Sequence, residues 1–133
     1  MIWMLDTNIC SYVMRELPAS VKARFYQVGP ENLAISTVVL AELRYGAARH
    51  PTRSALYCAE IDNFISRLEV LPWTTGAAAH YAELRTVLER QGQPIGNMDM
   101  LIAAHALAEN AMLVTHNTRE FERVPRLKVE NWV

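Results

Sequence analysis

Two cysteines, two lysines and only three aspartates among 14 acidic residues are what this 133-residue chain has little of. Cys10 and Cys58 stand alone and far apart, which argues against a disulfide or a thiol-ligated metal; both read as small buried apolar residues. With Lys22 and Lys128 the only lysines and a net charge of −1, no overall basic field gathers nucleic acid, so any such binding needs local patches. The positive charge is instead carried by eleven arginines, whose planar forks suit phosphates better than an ammonium does. No apolar run approaches the roughly 18–20 residues of a membrane span, because Arg15 and Glu16 interrupt the first one. A secretory leader pattern is lacking too, so the expected location is the cytoplasm. Repeats, low-complexity tracts and linkers are missing, and residues 1–133 are expected to form one domain with a substantial core.

What is present is an alternation of short apolar runs and helical periodicity. Ile2–Leu5 reads as a buried strand that ends at Asp6-Thr7-Asn8, any of which can cap a helix over Ile9–Met14. Pro18 opens a helix over Ala19–Gln27, and Gly29-Pro30 ends it. Strands follow at Leu33–Ile35, Val70-Leu71, Met112–Val114 and Leu127–Val129. Helices are expected over Val38–Ala48, Thr52–Leu68, Ala77–Arg90 and Met98–Glu109, with one further turn over Arg119–Glu122. Strands separated by helices imply a parallel sheet with right-handed crossovers, hence an α/β three-layer sandwich. The order of the strands does not follow from the pattern.

In such a sheet, ligands bind at the carboxyl ends of the strands. Asp6 stands at one of those ends, although, taken alone, it reads first as a helix N-cap worth about 1 kcal/mol. Glu42 lies on a helix that is apolar on nearly every side, with Val38, Val39, Tyr45 and Gly46 on its own face. That pattern predicts a carboxylate pointing into protein, where glutamate needs a partner. Asp99 repeats the pattern beside Ile102 and Ala103, with favourable charge on a helix N-terminus as its alternative role. Asp62, on a mixed face, reads as solvated.

If Asp6, Glu42 and Asp99 converge, two of them about 5 Å apart repel by about 3 kcal/mol at an effective dielectric of 20, and a proton or a cation must relieve it. All-oxygen donors favour Mg²⁺ or Mn²⁺ over zinc, and such ions commonly serve phosphodiester hydrolysis. Thr115 and Asn117 follow the fourth strand. They could hold a water or a phosphate oxygen, or could simply turn the chain and cap the next helix. Arg15, Arg44, Arg49 and Arg85 are candidates for phosphate contact, and the sequence does not rank them. His116 reads as a surface or hydrogen-bonding residue, while His50, His80 and His105 read as structural or exposed.

Met4-Leu5-Asp6-Thr7-Asn8, Leu40-Ala41-Glu42-Leu43 and Ile95-Gly96-Asn97-Met98-Asp99, in that order, resemble the PIN-domain ribonucleases. Within them the chain looks like the VapC toxins of bacterial toxin–antitoxin pairs. The tail Asn117–Val124, with Trp132 beyond it, resembles the subgroup that cuts initiator tRNA in its anticodon loop. The resemblance spans nearly the whole chain. It implies a five-stranded parallel sheet of order 3-2-1-4-5, Mg²⁺ or Mn²⁺ held by Asp6, Glu42 and Asp99, and water as nucleophile. Thr7 and Asn8 would support the ligands by hydrogen bonding. Many members carry a fourth acid just after the fourth strand; Asn117 stands there, leaving that acid absent or supplied by Glu120. The expected partners are tRNA, a VapB-type antitoxin, and operator DNA met only through the antitoxin complex, in a homodimer or larger hetero-oligomer.

Two other classes compete. A phosphatase with an aspartyl nucleophile usually has a second acid two residues on, where Asn8 stands. A catalytically inactive repressor subunit has no need of the three acids.

Overall fold

In the computed structural model, which describes residues 1–133, the apolar run at the start of the chain becomes the central strand of the sheet. The elements in chain order are β1 (Trp3–Leu5), α1 (Thr7–Arg15), α2 (Ala19–Val28), a 3₁₀ turn (Pro30–Asn32), β2 (Leu33–Ser36), α3 (Thr37–Ala48) and α4 (Ser54–Ile65). They continue with β3 (Glu69–Leu71), α5 (Thr75–Arg90), α6 (Asn97–Ala108), β4 (Met112–Val114), α7 (Thr118–Phe121) and β5 (Lys128–Glu130). All pairings are parallel and the order is β3-β2-β1-β4-β5. The sheet therefore has the strand order implied by the resemblance. Burial follows position: β2 is buried at every residue, whereas β3 and β5, at the two edges, each carry an exposed one.

The crossovers run leftward from β1 to β2 and β3, then rightward to β4 and β5. The order thus reverses between β1 and β4, and there the crevice at the carboxyl edge opens. Register fixes what meets in it. Leu5 pairs with Val114, and the Asp6 amide still donates to the Val114 carbonyl at 3.0 Å.

The helices divide by how much of their surface is covered. α6 buries Met100 and every residue from Ile102 to Ala106, and its alanines allow close approach to its neighbours. α3 differs from its expected burial. Only Val39, Leu43 and Ala47 are buried, and Thr37, Ala41, Tyr45 and Ala48 face solvent. Small and aromatic residues tolerate exposure, so an apolar count alone overstates how much of this helix is enclosed. No helix is long and apolar enough to cross a membrane.

Candidate active site

Asp6 ends β1 in extended conformation and caps α1, its Oδ1 accepting the Ile9 amide at 2.9 Å. The cap role read from the sequence is therefore real, yet it occupies only one oxygen. Oδ2 accepts the Thr115 hydroxyl at 2.5 Å, across the junction between β1 and β4. Thr115 is itself fully buried and accepts the Asn117 amide at 2.9 Å. A chain of hydrogen bonds thus ties the loop after β4 to the carboxylate after β1. Asp6 is 6% exposed. Its pKa is raised: burial is the largest cause, the bonds from Thr115 and Ile9 oppose it, and Glu42 adds repulsion.

Asp99 enters from the other side, in the first turn of α6. It is half-buried and its pKa is pushed up to about 6, by desolvation first and then by the charges of Asp6, Glu120 and Glu42. Neither a hydrogen bond nor a basic side chain works against that rise. Glu42, half-buried on α3, accepts the Thr7 hydroxyl on Oε1 at 2.6 Å. It is thus aimed by α1 rather than enclosed by its own helix.

Of the remaining candidates, Glu120 on α7 belongs to this cluster through its effect on Asp99. Asn117 holds the N-cap position of α7 without a side-chain capping bond, and contributes its backbone amide to Thr115. Asn8 is exposed. Asp62 is exposed and paired with Arg44 at 2.6 Å, as its mixed face implied. His116 is exposed, and its charge partly offsets the rise at Asp6. His105 emerges as more than a generic structural residue. It is fully buried on α6, with Nδ1 2.7 Å from the Ser36 hydroxyl at the end of β2. A histidine in an alanine-rich helix carries no sequence signal for a partner 69 residues away.

The donor set suits a hard divalent cation. It is all oxygen, Glu42 raises the pKa of Asp6 while Asp6, Glu120 and Glu42 raise that of Asp99, and a positive ion would relieve that repulsion. No three Asp, Glu, His or Cys side chains stand close enough to enclose an ion unaided. Mg²⁺ asks for less, since it keeps several waters and binds through one or two carboxylates.

The PIN domain family model matches residues 3–127. The chain belongs to the PIN-domain family. Among PIN-domain relatives, ribonuclease VapC2 of Rickettsia felis is 47% identical over 133 residues, covering 99% of this chain and 98% of the relative. A tRNA(fMet)-specific endonuclease VapC of Shigella flexneri is 45% identical over 132 residues, covering 98% and 97%. The crystal structure of VapBC2 from Rickettsia felis, bound to a DNA fragment from their promoter, contains a chain that superposes with a TM-score of 0.93. That chain is 46% identical, and all of both chains is covered. These identities place this PIN-domain chain among the VapC ribonucleases.

Proposed function

We propose that the chain is the toxin of a type II toxin–antitoxin pair. It is a Mg²⁺- or Mn²⁺-dependent endoribonuclease that hydrolyses a phosphodiester bond in the anticodon loop of initiator tRNA and so inhibits translation in the cytoplasm. The observation that carries this reading is Asp99, half-buried and held at about 6 beside three other carboxylates with no donor to relieve it. A fold leaves such a group unsatisfied where a ligand supplies the missing charge. The relatives' names support the substrate, and 45% identity to a tRNA(fMet)-specific endonuclease supports the initiator tRNA in particular.

Asp6 and Asp99 would hold the ion, with Glu120 as the fourth acid in place of Asn117. When bound, the ion orients a water and stabilises negative charge on the phosphate and the leaving oxygen. The protein supplies the rest. Ile9 and Thr115 fix both oxygens of Asp6, so the ligand does not have to be ordered when RNA arrives. Thr7 occupies Oε1 of Glu42, which leaves Oε2 to accept the proton of the attacking water. A VapB-type antitoxin neutralises the enzyme, and operator DNA is met only through that complex, in a homodimer or larger hetero-oligomer. The VapBC2 complex with promoter DNA supports this arrangement.

Mapping RNA 5′ ends after a short pulse of expression tests the reading. A unique cut in the initiator tRNA anticodon loop is expected, and it should vanish in Asp6→Asn and Asp99→Asn. Undiminished cutting by both variants would overturn the site.

A further inference from the structure

The protein buries four polar or charged side chains, Asp6, Ser36, His105 and Thr115, and they form two pairs. The first, Asp6 with Thr115, belongs to the acidic site. The second lies one strand away. Ser36 ends β2, and its hydroxyl oxygen, 2.7 Å from His105 Nδ1, also accepts the Val38 amide at 3.1 Å as the N-cap of α3. Ser36 and His105 are both 0% exposed, so neither reaches substrate and a nucleophilic role for the pair is excluded.

The direction of their bond follows from its surroundings. The Ser36 oxygen already accepts from Val38, and its own proton has no other partner, so the hydroxyl donates to Nδ1. The ring proton then sits on Nε2, which is buried without a hydrogen-bond partner and faces the Glu109 carboxylate at 3.7 Å. The opposite tautomer would set a lone pair against that carboxylate. Burial lowers the pKa of the ring, against the pull of Glu109, and keeps it neutral. An apolar pair of the same shape would serve the core as well, and would leave no buried nitrogen unpaired. The polar pair therefore serves geometry more than stability.

That geometry joins the two helices that carry Glu42 and Asp99. A second tie lies beside the first: the Trp73 amide donates to Thr37 Oγ1 at 3.2 Å, and its indole N–H donates to the Leu101 carbonyl at 2.9 Å. Both ties start at the head of α3, at Ser36 and Thr37, and end on α6 one turn apart, at His105 and Leu101. At 1.5 Å per residue, Glu42 lies about 8 Å along its helix from Thr37, and Asp99 about 3 Å from Leu101. The charge of Glu42 is felt at Asp99, so a shift of α3 against α6 alters the site directly. We infer that the Ser36–His105 pair, braced by Trp73, is the clasp that fixes α3 against α6 and so sets Glu42 against Asp99, which makes His105 a positioning residue for hydrolysis. The inference rests on the ribonuclease reading and deepens it by naming what keeps its carboxylates in place.

Cleavage of a labelled anticodon stem-loop RNA by the purified protein with Mg²⁺ reads the catalytic half of this claim, and amide exchange of the metal-free protein reads the clasp itself. Ser36→Ala/His105→Leu should lower kcat about 10- to 100-fold, the cost of misplacing a reacting group by about 1 Å, with KM within about twofold of wild type. The same variant should melt within about 5 °C of wild type, because an apolar pair replaces a polar one. Ser36→Ala alone and His105→Leu alone should each lose as much kcat as the double variant, since either breaks the same bond. His105→Asn, whose side-chain oxygen can accept from Ser36 as Nδ1 does, should recover most of that loss. In His105→Leu the Leu40, Ala41 and Glu42 amides should exchange about five- to tenfold faster, the equivalent of one neutral hydrogen bond, while those of α2 keep their rates. Val21→Ala, a truncation in the buried face of α2, should lower the melting temperature and leave kcat unchanged.

If wild type cuts and Ser36→Ala/His105→Leu keeps its kcat, the pair is ordinary core and the ribonuclease reading stands. The clasp is equally wrong if His105→Asn recovers nothing, if Val21→Ala loses as much kcat, or if exchange in His105→Leu quickens evenly over the whole chain. If wild type does not cut RNA, the ribonuclease reading falls and the positioning role falls with it.

Discussion

Asp99 and Glu130 are both half-buried carboxylates close to the carboxyl ends of strands, and the protein treats them in opposite ways. Glu130, on β5, accepts the Trp132 indole N–H at 2.8 Å, the Trp3 indole N–H at 3.3 Å and a short ion-paired bond from Arg24. Burial alone would raise its pKa, yet those three donors hold it below the usual carboxylate value. Asp99 is desolvated too, receives no donor, and is surrounded by like charges. Glu130 ties the two ends of the chain to α2 and serves the fold. Asp99 is left with a charge that the protein alone does not satisfy. Missing donors, more than acidity itself, mark the functional carboxylate.

The largest break in this comparison should come from Asp99→Asn. RNA cleavage should fall by about 10³-fold or more, while the metal-free protein becomes more stable at pH 7 by about 1 kcal/mol, or about 4 °C in melting temperature, the gain being discounted for solvent screening. Fragment yield and thermal melts check both halves, and a loss of stability would contradict the unsatisfied charge. Thr115→Val should follow. It removes the donor to Asp6 Oδ2 while keeping the shape, and should weaken Mg²⁺ affinity by about 10- to 100-fold, as read by titration of activity against metal.

Glu130→Gln should leave activity per folded molecule unchanged and cost about 1 kcal/mol in urea unfolding, the charged bonds being discounted for partial exposure. The smallest effect is in pH dependence, where the two residues should oppose each other. Asp99 binds its proton more tightly folded than unfolded, so its contribution favours the folded state at pH 4 and is lost as the pH rises through about 6. Glu130 binds its proton less tightly when folded, so its contribution is present at neutral pH and is lost as the pH falls through its lowered pKa. Melting temperatures should show the Asp99 effect as the pH rises from about 4 through about 6 and the Glu130 effect, of opposite slope, only as the pH falls below about 4.5, and Mg²⁺ should flatten only the part due to Asp99.

How much of the molecule is legible in its sequence follows from the range of each signal. Strands and helices are legible because apolar periodicity is local, and Asp6 and Asp99 are legible because each acid abuts a long apolar run. Strand order is a long-range property; only the resemblance supplies it. The sequence points to Glu42 for a partly mistaken reason, since α3 is covered on one face and the Thr7 hydroxyl, not burial, holds the side chain. Glu120 and Asn117 cannot be separated without the turn of α7, which leaves the glutamate near Asp99 and only the asparagine's backbone amide at Thr115. The Glu130 cluster is invisible in the sequence, because Trp3 and Glu130 are 127 residues apart and each is unremarkable alone.

The hydrogen bond from Thr115 to Asp6 spans 109 residues, and this has a consequence during synthesis. β1 leaves the ribosome first but lies in the middle of the sheet, and its neighbour β4 is made late. Asp6, the first acid of the proposed site, therefore waits, unsupported, until most of the polypeptide has been translated. In a nascent chain of this topology the proposed site cannot be assembled while its message is still being read through β4. Activity arrives late, when translation of the message is nearly done.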